Sequence, residues 1–160
     1  MISSIEKNKC TGCKMCGDIC PSGAVDFKTE NDGCWYPTVD EEKCIECGLC
    51  IKKCPALNIV PSDNNSDPAV YAAWSLNEKV RYDSTSGGIY YEVAKAFIDE
   101  GGYIAGCIFS SDFKTAKHVI GKTYDDLNAI MGSKYFQSDT AGIYKKISTL
   151  IKNGEKVLFC

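Results

Sequence analysis

The sequence predicts an α+β chain made of two unlike parts. A small cysteine-rich domain over residues 1–61 has two hairpins and two short helices, and a partial α/β domain follows over residues 69–160. Three observations predict this. A cysteine run recurs at an offset of 34 residues, as Cys10-x2-Cys13-x2-Cys16-x3-Cys20-Pro21 and Cys44-x2-Cys47-x2-Cys50-x3-Cys54-Pro55. A polar, proline-bounded stretch over 62–68 reads as a linker. From Ala69 onward, apolar residues recur with the periods of strands and helices in alternation.

The first domain is a duplicated half. Lys9-Cys10-Thr11-Gly12-Cys13 aligns with Lys43-Cys44-Ile45-Glu46-Cys47, which implies a pseudo-twofold axis that brings the two runs together. Pro21 and Pro55 each stop a short helix after the last cysteine. Ala24 to Lys28 and Leu57 to Pro61 read as extended, and Trp35 to Val39 as a strand leading into the second run, all of them hairpin strands. In the second domain Ala69 to Trp74 reads as a buried strand. Gly87 to Glu100 reads as a helix with Ile89, Val93 and Phe97 on one face, ended by Gly101-Gly102. Tyr103 to Phe109 is a strand that pairs as a hairpin with Ala116 to Ile120. A short helix from Tyr124 to Met131 follows, then a helix with Ile143, Ile147, Leu150 and Ile151 inward that ends by Gly154, then a strand from Lys156 to Cys160.

The cysteine runs carry the chemistry. A cubane cluster needs four thiolates converging on four irons, and a Cys-x2-Cys-x2-Cys loop wraps three of them around one face while the fourth comes from elsewhere. Two such runs predict two 4Fe-4S clusters and one-electron transfer. Zinc also takes thiolates at Cys-x2-Cys spacing, but its motifs rarely put four cysteines in one compact run followed by proline. Gly12, Gly17 and Gly48 allow tight loops and let backbone N–H groups approach the cluster sulfurs, where they stabilise the reduced state. The stretch closely resembles bacterial-type dicluster ferredoxins. That resemblance implies crossed ligation, with Cys10, Cys13, Cys16 and Cys54 on one cluster and Cys44, Cys47, Cys50 and Cys20 on the other.

Composition sets the bounds. Of eleven cysteines, the runs take eight, and the start, Met1-Ile2-Ser3-Ser4-Ile5-Glu6-Lys7, has no apolar signal core. A disulfide scaffold is therefore disfavoured and a reduced, cytoplasmic setting expected. No apolar run approaches the ~20 residues that cross a bilayer. The net charge of −3 becomes more negative by about four once two oxidised clusters are held by eight thiolates, which does not invite nucleic acid. A domain of about 60 residues buries little surface, so the clusters are expected to cross-link it.

Two loops of the second domain are candidate sites. Ser84-Thr85-Ser86-Gly87-Gly88, read as lying between a strand and a helix start, suits a phosphate or other anion, and equally suits a simple helix cap. Gly132-Ser133-Lys134-Tyr135-Phe136-Gln137-Ser138 packs a cation, an aromatic and hydrogen bonders together, as a flavin site does and as solvated loops also do. With Arg81 ahead of the first loop and Lys156-Val157-Leu158-Phe159 after the second, residues 81–160 resemble the beta subunit of the hydrogenase that reduces coenzyme F-420. Related proteins are found in formate dehydrogenase, flavin-type ferredoxin-dependent thioredoxin reductases and hydroxymethyl-chlorophyll reductase. The resemblance implies FAD beside the clusters, with Ser84, Ser86, Gly87, Gly88, Ser133, Lys134, Tyr135 and Gln137 in contact with it. It also implies an oxidoreductase subunit that relays electrons between a redox protein or hydrogenase-type partner and a flavin or deazaflavin; it names no catalytic residue.

In that family the last strand runs into a Gly-Thr-Pro-Cys-Gln loop and a C-terminal domain, whereas this sequence stops at Cys160. The expectation is a truncated α/β part with an open edge, prone to self-association and weak in FAD binding. Cys107 reads as a small buried residue, Cys34 as inert, Cys160 as exposed and oxidisable, and His118 as a surface or packed residue. Two further functions fit the same motifs: a ferredoxin-type carrier without flavin, and part of a ferredoxin-dependent thiol-disulfide reductase.

Overall fold

A computed structural model describes residues 1–59 and 68–160. Its contacts divide the chain into two compact units, Met1–Ser62 with Asp139–Lys146, and Asp63–Ser138 with Ile147–Cys160. Contacts thus carry residues 139–146 back to the cysteine-rich unit, a return that the sequence does not announce. The expected linker lies outside the described residues except for Pro68.

The cysteine-rich unit opens with a 3-10 turn, Ile2–Ser4, whose Ile2 is buried. Helix α1 (Met15–Ile19) follows, then strands β1 (Val25–Thr29) and β2 (Trp35–Val39), then helix α2 (Leu49–Lys52). β1 and β2 form an antiparallel hairpin with Val25 opposite Val39 and Thr29 opposite Trp35. Its turn is closed locally: Asp32 accepts hydrogen bonds from the Cys34 amide at 2.9 Å and the Tyr36 hydroxyl at 2.7 Å, and Gly33 takes the left-handed φ of 78°.

Only one hairpin forms among the described residues of this unit, not the two expected. Leu57 to Ile59 is not a strand, and Val60 and Pro61 lie outside the described residues. Asn58 is the reason. Its side-chain amide donates to the Ile51 and Cys54 carbonyls at 2.7 and 3.1 Å, and its backbone N–H donates to the Cys54 carbonyl, so the chain curls back on α2 and is not free to extend.

The second unit is built on a three-stranded sheet in the order β4-β3-β5. β3 (Tyr103–Phe109) lies between antiparallel β4 (Ala116–Gly121) and parallel β5 (Val157–Phe159). Helices α4 (Ile89–Asp99) and α5 (Tyr124–Ile130) pack on it around Ala94, Ile104, Leu127 and Ile130. α5 comes very close to β3: a Cβ on Gly106 would sit 2.4 Å from Ile130. Helix α6 (Ile143–Lys152) precedes β5.

Three expectations change here. Ala69 to Trp74 is not a strand, and Val70, Tyr71 and Trp74 are exposed; a six-residue apolar run is too short for periodicity to identify a strand. The inward stripe of α4 is Tyr90, Tyr91, Ala94, Phe97 and Ile98; of the expected face only Phe97 packs inward and Ile89 and Val93 are exposed, since the adjacent row Tyr90-Ala94-Ile98 is apolar too and is the one that meets the core. On α6, Ile143 is buried but Ile151 is exposed. The sequence reading also omitted helix α3 (Glu78–Asp83), whose signal is its N-cap: Asn77 accepts from the Lys79 and Val80 amides. The Ser84–Gly88 loop therefore joins two helices, not a strand to a helix.

Candidate functional site

Each cysteine run bends through left-handed positions just before its short helix: Gly12 and Lys14 in the first, Glu46 and Gly48 in the second. One cavity, of about 20 Å³, is lined by Cys10, Cys13, Cys16 and Cys54, and another, of about 190 Å³, by Cys20, Cys44, Cys47 and Cys50. In both, the fourth cysteine belongs to the other run. All eleven cysteines are free thiols. Among the described residues, no three His, Cys, Asp or Glu side chains converge on a single-ion site. Two sets of four thiols around separate hollows fit a pair of multi-iron clusters as a donor set.

Local hydrogen bonds act on these thiols unequally. Burial opposes ionisation of Cys20, yet the Ser22 hydroxyl at 3.6 Å and the Ala24 amide at 3.3 Å prevail and hold its thiol below the usual range. For Cys16, burial, followed by the neighbouring Cys13, pushes the thiol up to about 12. The return segment is fastened to the first run. The Thr140 hydroxyl donates to the Cys13 carbonyl at 2.7 Å, and Asp18 accepts from the amides of Gly142 and Tyr144 at 2.6 and 2.9 Å.

The second unit contains a cavity of about 680 Å³, within the range of small-molecule sites. The two candidate loops meet on it. Ser84 to Gly88 and Gly132 to Lys134 both line the cavity, and Thr85 joins the loops by its hydroxyl, 3.3 Å from both the Ser133 hydroxyl and the Ser133 amide. Two glycines shape the wall: Gly88 has φ 81° as the cap of α4, and a Cβ on Gly87 would lie 2.6 Å from the Ala73 carbonyl. Lys134 donates to the Ile130 and Met131 carbonyls at 2.7 and 3.1 Å, and burial draws its ammonium below the ordinary lysine value.

Of the eight predicted flavin contacts, Tyr135 and Gln137 are not on this wall, and Tyr135 is 90% exposed. Phe136 and Ser138 line it in their place, alternating onward from the expected Lys134 as extended backbone does. The sequence reading missed four contributors. His118, expected at the surface or in packing, lines the cavity with Nδ1 2.8 Å from the Ser138 hydroxyl, Nε2 3.3 Å from the Cys160 carbonyl, and its ring stacked on Phe159. Cys107 and Cys160 line it too, and burial raises the Cys160 thiol. Tyr90 also lines it, and its buried hydroxyl has no hydrogen-bond partner among the described residues. Burial pushes that phenol up to about 12, so it stays a donor. The i, i+4 stripe shared by Tyr90 and Ala94 was the available signal for Tyr90.

Residues 9–58 match the family model described as a 4Fe-4S dicluster domain, and a second model of the same description matches residues 36–103. The second match contains a single cysteine run, since no cysteine lies between Cys54 and Cys107, and so it adds no further cluster set. The chain thus carries a 4Fe-4S dicluster domain, and iron-sulfur electron transfer is the role these similarities support. Among curated relatives, an uncharacterized ferredoxin of Methanocaldococcus jannaschii is 35% identical over 51 residues, which is 32% of this chain and 65% of the relative. The ferredoxin-type protein NapF of Haemophilus influenzae is 37% identical over 51 residues, 32% of this chain and 29% of the relative. The chain therefore spans less than two thirds of either. No described helix is long and apolar enough to cross a membrane.

Proposed function

We propose that this chain is an iron-sulfur flavoprotein oxidoreductase subunit of the coenzyme F-420 hydrogenase/dehydrogenase beta type. In this reading Cys10, Cys13, Cys16 and Cys54 hold one 4Fe-4S cluster, Cys44, Cys47, Cys50 and Cys20 hold the other, and FAD occupies the second unit's cavity. Electrons pass between a redox protein or hydrogenase-type partner and a flavin or deazaflavin. The observation that carries the flavin part is the meeting of Ser84–Gly88 and Gly132–Lys134 on one cavity of about 680 Å³. The two loops, chosen from sequence and 44 residues apart at their nearest ends (88 to 132), are brought to one ligand-sized cavity by the packing of α4 and α5 on the same sheet.

When bound, FAD supplies the exchange between one-electron and two-electron transfer. The chain's own groups have separate tasks. The Gly88 cap leaves the first amides of α4 open to an anion such as a phosphate. Lys134 adds positive charge to the same cavity, and the Tyr90 hydroxyl donates to a polar ligand atom out of water's reach. Anaerobic reconstitution followed by calorimetric titration with FAD tests both halves of the reading. It predicts about eight irons, absorbance at roughly 400 nm, and one FAD bound. Zinc without acid-labile sulfide would refute the cluster assignment.

The ferredoxin relatives favour a second reading, a carrier that docks to a partner and binds no flavin. Full iron content with no FAD uptake is the result that selects it.

A further inference from the structure

We infer that Lys14 makes the two clusters electrostatically unequal, raising the reduction potential of the one held by Cys10, Cys13, Cys16 and Cys54 above the value it would otherwise have. The inference rests on the cluster reading above. Its ground is a comparison of the two halves. Lys14 and Gly48 occupy the same place in their runs, one residue after the second cysteine, and both are left-handed, with φ 58° and 69°. Glycine adopts that conformation without strain and lysine does not. The strained lysine is nonetheless buried, 9% exposed. Its ammonium lies 3.7 Å from the Trp35 ring centroid and 5.7 Å from that of Phe27, and pairs with Asp139 at 2.9 Å.

Charge and burial decide the sign. Lys14 lines the cavity of its own cysteine set, and Asp139 does not. The lysine side chain is 10% exposed and the carboxylate 44%, so water screens the anion far more than the cation. Reduction adds a negative charge to the cluster, and a cation behind low-dielectric walls stabilises that state. The other charges of the runs are weaker. Asp18 lines neither cluster cavity. Lys52 and Lys53 of the second run are exposed, and neither lines a cluster cavity. The left-handed non-glycine residue of the second run is Glu46, exposed on the rim of the other cavity and of opposite sign.

The test is potentiometric electron paramagnetic resonance on the reconstituted full chain, with the two waves assigned through Cys54→Ser and Cys20→Ser. Lys14→Met should lower the potential of the Cys10-set cluster and leave the other in place. Lys14→Arg should restore it. Asp139→Asn, which keeps the ammonium and removes its partner, should move the same wave upward. Opposite shifts from the two partners are the signature of charge, because loosening the loop would shift both variants the same way. If Lys14→Met fails to hold its cluster, Asp139→Asn decides: an upward shift supports the inference, while no shift or a downward one overturns it. Equal, unmoved waves in all variants also overturn it. Failure of the wild-type chain to assemble any cluster refutes instead the reading beneath.

Discussion

Tyr90 separates stability from binding more cleanly than any other residue of the second unit. Its hydroxyl is buried without a partner among the described residues, a state that costs about 1–3 kcal/mol. Tyr90→Phe should therefore leave the flavin-free protein as stable or more stable by about 1 kcal/mol, while weakening FAD by roughly three- to tenfold through the lost hydrogen bond. Thermal melts and FAD titration of the same variant check both signs, and a variant that loses stability and keeps affinity would show that the hydroxyl serves packing alone. Gly87 gives the complementary case. A Cβ there would lie 2.6 Å from the Ala73 carbonyl, so Gly87→Ala should force the loop aside, cost about 1–3 kcal/mol and abolish FAD binding. Cys16 gives a pH dependence. Burial raises its thiol to about 12, the ligand is the thiolate, and so the proton must leave as iron binds. Cluster assembly should then quicken by up to about tenfold per pH unit between pH 7 and 9 where Cys16 limits it, and a rate flat across that range would mean that another step limits.

At the scale of elements, α5 is the platform for Lys134, and its start is set by a capping box. Thr123 accepts from the Asp126 amide at 3.1 Å, and the Asp126 carboxylate accepts from the Thr123 amide at 3.0 Å. Thr123→Ala should cost about 1 kcal/mol in urea denaturation; a loss near zero would mean that tertiary packing holds the helix without its cap. The cysteine runs couple the halves of their own unit. If ligation is crossed, Cys20→Ser should disturb the cluster of Cys44, Cys47 and Cys50 more than that of its own run, visible in reduced-state magnetic resonance. Matching spectra from Cys20→Ser and Cys10→Ser would point to uncrossed ligation.

These elements also show what a single sequence can carry. Strand β3 and helices α4 and α5 were legible because seven to eleven residues repeat a period and end on glycine or a capping threonine. The inward face of α4 was not, since two adjacent stripes were apolar and only the partner sheet chooses between them. Asn58 held its segment out of a strand through a side-chain bond that no period records. The two cysteine runs were legible because ligand spacing is local, whereas the crossed fourth cysteine of each set came from the resemblance to dicluster ferredoxins. His118, Cys107 and Tyr90 reach the second cavity from β4, β3 and α4, a convergence set by sheet order.

Taken as a whole molecule, the chain is proposed to hold two one-electron centres in one unit and a two-electron centre in the other. This can be counted. The reconstituted, FAD-saturated protein is titrated anaerobically with dithionite while absorbance at roughly 400 and 450 nm is followed. The account predicts uptake of about four electrons per chain, about two by the clusters and about two by the flavin. Uptake that stops at about two electrons, with the added flavin recovered unbound after desalting, would contradict it.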